Sequence, residues 1–219
     1  MIDVESFIQS NTTARPVPLV GGLNMLGVDA LVPLWEASEA WAGRSGLEPP
    51  YWAVPWAGGL ALAWHLERHP ELVAGRRVID FACGSGLVGL MAARLGARSV
   101  QLAEIDPLAQ AACRLNAALN GLEVEVAERD LLGEPLGEAD VVLAGDVFYA
   151  QQMSALVLPW LRAHAAAGRL VLVGDPGRKY LPRAGMEPVG EVLVPVSRDW
   201  EASEARWTRI LRLHPEAVA

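Results

Sequence analysis

The chain has 219 residues, of which 52% are apolar, enough to bury the core of one large α/β domain. Its formal charge of −8 speaks against a nucleic-acid partner, and GRR at 75–77, the one dense basic run, lies directly before a strand. Cys83 and Cys113 make no disulfide framework, no C-x-x-C or histidine-rich spacing offers a metal site, and no run of about 18 apolar residues is present to span a membrane.

The opening MIDVESFIQSNTTARP has neither the basic nor the apolar part of a secretion signal, which points to a cytoplasmic protein. Prolines and glycines punctuate the first 50 residues without clear strand alternation, and DALVPLWEASEAWAG is expected to hold a short helix. EPPYWAVPWAGG (48–59) is a stiff, tryptophan-rich approach to a helix expected from Ala57 to His69, with Pro70 at its end. From residue 76 short apolar runs alternate with helices. RVIDFA is the first strand, LVGLMAARLG a helix stopped by Gly96, and SVQLAEI the second strand. In DPLAQAACRLNAALNG, Asp106 is a cap, Pro107 opens the first turn and Gly121 ends the helix. EVEVAERD and ADVVLAGD are the next strands, MSALVLPWLRAHA a helix and GRLVLVGDP a fifth strand. EPVGEVLVPV and ARWTRILRLH close the chain as two β-rich segments, expected to form an antiparallel hairpin at the sheet edge. The repeated strand–helix units imply a parallel sheet with right-handed crossovers.

Gly84, Gly86 and Gly89 spell G-x-G-x-x-G at the first strand-to-helix turn, and Glu104 follows Gly84 by 20 positions. Taken literally this is a dinucleotide fingerprint, though a tight turn alone uses the same glycines. Asp80 ends the first strand just ahead of the turn. A pyrophosphate at a helix N-terminus favours bare N–H groups, and an aspartate opposes it. S-adenosylmethionine (AdoMet) has no phosphate, and its methionine ammonium is attracted by a carboxylate, directly or through water. Glu104 at the end of the second strand suits ribose hydroxyls. No separate substrate domain follows the fingerprint, as a nicotinamide dehydrogenase would need. AdoMet is therefore the expected cofactor.

Here the sequence resembles the class I AdoMet-dependent methyltransferases. DFACGSG (80–86) is similar to their acidic-x-G-x-G-x-G motif, with Ala82 in place of the first glycine. The resemblance implies a Rossmann-like doubly wound sheet of seven strands, the last antiparallel, with helices on both faces. It places an N-terminal helical or irregular extension at 1–56, packed on the core as a candidate cover for the site, and the methyltransferase domain at 57–219. It further implies a cofactor site of Asp80, Ala82, Gly84, Gly86, Glu104, Ile105, Asp130, Leu131, Asp146 and Trp56, with Asp130 taking the adenine amino group.

AGDVFY after the fourth strand has the form D-x-x-Y, similar to the corresponding motif of seven-stranded protein-lysine methyltransferases. Together with GDPGR (174–178) and the approach segment, it resembles the lysine methyltransferases of the electron transfer flavoprotein β subunit and their nicotinamide N-methyltransferase-like relatives. That family implies transfer to a protein lysine ε-amine, with Asp146 and Tyr149 catalytic and Phe148, Trp52, Asp175 and Arg178 on the substrate side. A lysine with pKa near 10.4 is only about 0.04% neutral at pH 7, a cost of roughly 4.6 kcal/mol, and only the neutral amine attacks. Asp146 is assigned first to positioning, because an ionised partner also opposes deprotonation. A small-molecule amine or pyridine N-methyltransferase and a catalytically silent AdoMet-binding module remain open alternatives.

Overall fold

The computed structural model describes residues 3–134, 137–201 and 203–215. In chain order the elements are α1 (Val4–Asn11), β1 (Thr13–Pro16), β2 (Asn24–Gly27), α2 (Leu31–Ala42) and α3 (Ala57–Arg68). There follow β3 (Arg77–Phe81), α4 (Leu87–Arg94), β4 (Ser99–Ala103), α5 (Pro107–Asn120), β5 (Glu125–Ala127), β6 (Val141–Gly145) and α6 (Gln151–Ala166). β7 (Leu170–Asp175), β8 (Met186–Pro195), α7 (Arg198–Glu201) and β9 (Ala205–Leu213) complete the chain.

The central strands β3, β6 and β7 are buried along nearly their whole length because both sheet faces are covered there. Strands β3 to β7 pair in parallel, and the seven-stranded order is β5-β4-β3-β6-β7-β9-β8. The sheet has the expected antiparallel last strand, but β9 is not at the edge: it inserts between β7 and β8, antiparallel to both. Alternate side chains divide the core. Val78, Leu102, Leu143, Leu172 and Ile210 pack under α3 and α4, while Ile79, Val142, Val173 and Leu211 pack under α6.

The N-terminal segment holds more structure than its sequence advertises. Besides the expected helix at α2, it contains α1, whose N-cap Asp3 accepts from Ser6 N–H at 3.0 Å, and an antiparallel β1–β2 pair. Phe7, Ile8, Leu34 and Trp52 from this segment bury against Ala109, Ala111 and Ala112 of α5. Asn116 of α5, fully buried, joins three parts: its Oδ1 accepts from Leu26 N–H at 2.8 Å and its Nδ2 donates to Ser85 O at 3.1 Å. The N-terminal segment is thereby fastened to the glycine turn.

The first turn of α3 crosses the sheet at backbone contact. A Cβ on Gly174 would lie 2.1 Å from Gly58 O, and one on Gly58 would lie 2.2 Å from Gly174 O. Both obstacles are backbone and cannot swing aside. Gly174→Ala is expected to cost about 3 kcal/mol and lower Tm by about 6–12 °C in a chain of this size. Thermal melts check this, and an unchanged Tm would show that α3 does not need the close approach.

Candidate active site

Two helices at the carboxyl ends of the parallel strands begin without a capping side chain of their own. The N-cap of α4 is Gly86 and that of α3 is Trp56, and neither supplies an oxygen. Each is capped instead by a carboxylate at a strand end. Asp80 of β3 accepts the Gly89 N–H at 2.7 Å, on the third residue of α4. Asp146, directly after β6, accepts the N–H groups of Gly58 and Gly59 in the first turn of α3. Such a cap contributes about 0.5–2 kcal/mol and suits the positive end of the helix dipole.

Around the glycine turn, Glu104 accepts from Gly84 N–H at 3.0 Å and from Ile105 and Asp106 N–H at 2.7 and 3.1 Å. Gly86 N–H donates to Cys83 O at 2.9 Å. Two N–H groups that a pyrophosphate would need are thus already committed. Ala82 has φ +51°, so the residue standing where the family pattern has glycine sits in the left-handed region, at about 1–2 kcal/mol of strain. Gly84 and Gly86 are also left-handed, at +57° and +88°. Gly89 serves packing: a Cβ there would lie 2.2 Å from Leu102 Cδ2.

The expected AdoMet residues fit a cationic nucleoside better than a dinucleotide. Glu104 and Asp130 are acceptors only, and Ile105 is 68% exposed beside them, a bare apolar surface for an aromatic base. Asp130 is exposed, with Oδ1 accepting from Leu132 N–H at 2.9 Å. Two of these residues are buried. Asp80 lies beneath the turn and holds the start of α4 through the Gly89 N–H. Leu131 is buried in the core under the sheet.

On the acceptor side the structure separates residues that the sequence grouped. Phe148 is 0% exposed and Trp52 is buried against α5, so both are packing residues and neither lines an opening. Tyr149 is 53% exposed, and Tyr51, which sequence reasoning missed, is 44% exposed with its ring centroid 6.4 Å away. Trp56 adjoins Tyr51 at 5.7 Å, edge to face, and its Nε1 donates to Tyr51 O. Burial, then Tyr51, Glu48 and Glu104, raise the Tyr149 phenol pKa above its ordinary value, which places this aromatic rim within the field of the cofactor-side Glu104.

Asp146 has φ +55° and its carboxylate is saturated. Beyond the two α3 N–H groups, its Oδ1 accepts from Arg178 Nε at 2.9 Å and Nη2 at 2.7 Å. Arg178 also donates to Glu201, which in turn accepts from Arg206 Nη1 at 3.0 Å. Asp175 Oδ1 accepts the Gly177 and Arg178 N–H groups at 2.7 and 2.6 Å and so shapes the turn that carries Arg178. Asp175 and Arg178, both expected on the substrate side, are thus tied into the ion-pair network that supports Asp146. Glu201, with its side chain 2% exposed, gave no sequence signal because it lies past the motifs, at the end of the one-turn helix α7 between the last two strands. Arg178 also faces the Trp56 ring at 5.7 Å.

Residues 57–179 match the methyltransferase small domain family. The chain is 35% identical to an electron transfer flavoprotein beta subunit lysine methyltransferase of Xenopus laevis over 176 residues, 79% of this chain and 70% of that protein. The corresponding protein of Rattus norvegicus is 35% identical, over 66% of this chain and 56% of its own length. The T. thermophilus 16S rRNA N2 G1207 methyltransferase, solved with AdoMet and guanosine, superposes with a TM-score of 0.58 at 18% identity, covering 94% of this chain and 50% of that one.

Burial raises the Asp80 pKa to about 7, with Gly89 N–H opposing and Glu104 adding to the shift. The folded chain then holds a proton that the unfolded chain has released, so this carboxyl lowers stability as pH rises from about 4 through about 7. Asp80→Asn, which keeps an oxygen for Gly89, is expected to melt above the parent at pH 8 and to lose that advantage near pH 4; parallel melts across this range check it. Glu201→Gln leaves Arg178 with Asp146 as its one charged partner and takes from Arg206 the carboxylate it pairs with; it is expected to cost about 3 kcal/mol, as for breaking a buried pair, whereas a surface ion pair would cost under about 1. Denaturant titration separates the two.

Proposed function

The chain belongs to the methyltransferase small domain family, with AdoMet as methyl donor, and we propose that its acceptor is a lysine ε-amine of the electron transfer flavoprotein β subunit. The observation that carries this reading is the exposed rim of Tyr51, Trp56 and Tyr149 at the end of β6, with Glu48 and Glu104 near enough to act on Tyr149. An aromatic and acidic rim is what an alkylammonium selects. Each ring contributes roughly 0.5–2 kcal/mol by cation–π attraction. The chain's relatives named for that flavoprotein subunit supply the identity of the acceptor.

AdoMet supplies a methyl group already bonded to a good leaving group. The protein's work is to bind, orient and exclude water, holding nucleophile and methyl carbon about 3 Å apart. Glu104 takes the ribose hydroxyls, Ile105 covers the adenine and Asp130 accepts its amino group. Asp146 acts from behind: four protein donors occupy its carboxylate, leaving it no free position to face the incoming amine, and it fixes the start of α3 beside Trp56. The amine's proton leaves to solvent. We take the segment ahead of Ala57 as part of this opening, since Tyr51 and Glu48 come from it. We place the protein in the cytoplasm, in keeping with a sequence whose two cysteines make no disulfide framework.

The test is transfer of labelled methyl groups from AdoMet to purified flavoprotein, with nicotinamide as the competing acceptor. Tyr149→Ala is expected to lower kcat/KM about tenfold, the equivalent of 1.4 kcal/mol, while Tyr149→Phe keeps the ring and stays near the parent. Label on nicotinamide and none on the flavoprotein would replace this reading with the small-molecule one.

A further inference from the structure

Lysine is nearly absent from this protein. Its lysine and arginine residues number 18, and Lys179 is the one lysine among them. The other cations are arginines, which stay protonated at neutral pH and offer no free lone pair. The surface therefore presents a single ε-amine.

The residue that carries it sits between two residues tied to the acceptor opening. Lys179 follows Arg178, which is held by Asp146 and Glu201 and faces Trp56. It precedes Tyr180, whose N–H donates to Phe148 O at 3.2 Å, one residue from Tyr149. The backbone at 179 is thus anchored to the opening from both sides, while its side chain is exposed. Its Nζ lies 5.2 Å from the Tyr180 ring centroid and makes no ion pair among the described residues. Nothing but a weak ring contact has to be given up for the amine to turn inward.

We propose that the enzyme methylates Lys179 of its own chain, within one molecule. This rests on the lysine-transfer reading above. The neutral ε-amine attacks the methyl carbon of AdoMet; an N–C bond forms, the S–C bond breaks, S-adenosylhomocysteine leaves and the amine's proton passes to solvent. No oxidant or further reactant is required. A tethered amine at the rim has an effective concentration on the order of millimolar, so it competes even with an imperfect fit. Methylation keeps the charge, and the modified residue remains a cation at the rim.

The experiment is to incubate the purified full-length protein with methyl-labelled AdoMet and no other acceptor, then map label by peptide mass spectrometry. The expected result is a gain of about 14 Da per methyl on the peptide containing Lys179, at a rate per molecule that does not change on dilution. Lys179→Arg is expected to take no label at that position and to methylate the flavoprotein within about twofold of the parent. An enzyme that labels the flavoprotein but leaves Lys179 unmodified would overturn the proposal and leave the proposed function standing. A rate per molecule that rises with enzyme concentration would overturn the intramolecular step. Failure to label either the flavoprotein or Lys179 would count against both readings.

Discussion

The site is organised by helix N-termini that borrow their caps. α3 and α4 start on Trp56 and Gly86, neither of which has a side-chain oxygen to satisfy the first N–H groups. Asp146 and Asp80 supply it from the ends of β6 and β3. A helix placed over a sheet in this way is fixed at its business end by a strand, so the cofactor turn and the acceptor rim inherit the rigidity of the sheet. The arrangement is costly in charge: burial raises the Asp146 pKa to about 6 and that of Asp80 to about 7, and Arg178 offsets part of the cost only for Asp146.

That asymmetry has a chemical sense. Asp80 lies beneath the glycine turn, where no cation among the described residues pairs with it and where, in the proposed function, the cofactor would bring positive charge. Asp146 lies on the acceptor side and has its own counter-ion in Arg178, itself shared with Glu201. An acceptor-side carboxylate already paired does not hold an incoming amine in its charged, unreactive form. In the proposed function, recognition of the alkylammonium falls to Tyr51, Trp56 and Tyr149, whose rings attract a cation without stabilising it as strongly as a naked carboxylate would.

The glycine turn shows the same division between cofactor classes. G-x-G-x-x-G by itself is shared by two families of ligand. Commitment of Gly84 N–H to Glu104 and of Gly86 N–H to Cys83 O, together with the acidic surroundings, makes the turn a poor host for a diphosphate. Ala82 adopts the left-handed conformation that glycine would take without strain.

Sequence alone determined the strand–helix alternation, the parallel sheet, the capped α5 between Asp106 and Gly121, and the cofactor class. Each follows from local signals: apolar runs of strand length, turn residues, and a carboxylate at a strand end. It did not reveal α1 or the β1–β2 pair, whose apolar residues find their partner in α5, nor the insertion of β9 between β7 and β8, since two segments of similar pattern carry no label of order. Side-chain direction was also beyond it. Phe148 and Tyr149 are neighbours in one motif, yet one is buried and the other open, and Tyr51 joins Tyr149 across 98 positions of chain. Glu201 became part of the site only when the linker after β8 folded back onto Arg178. Periodicity and propensity act over a few residues, whereas a buried charge finds its partner only through the whole packed structure.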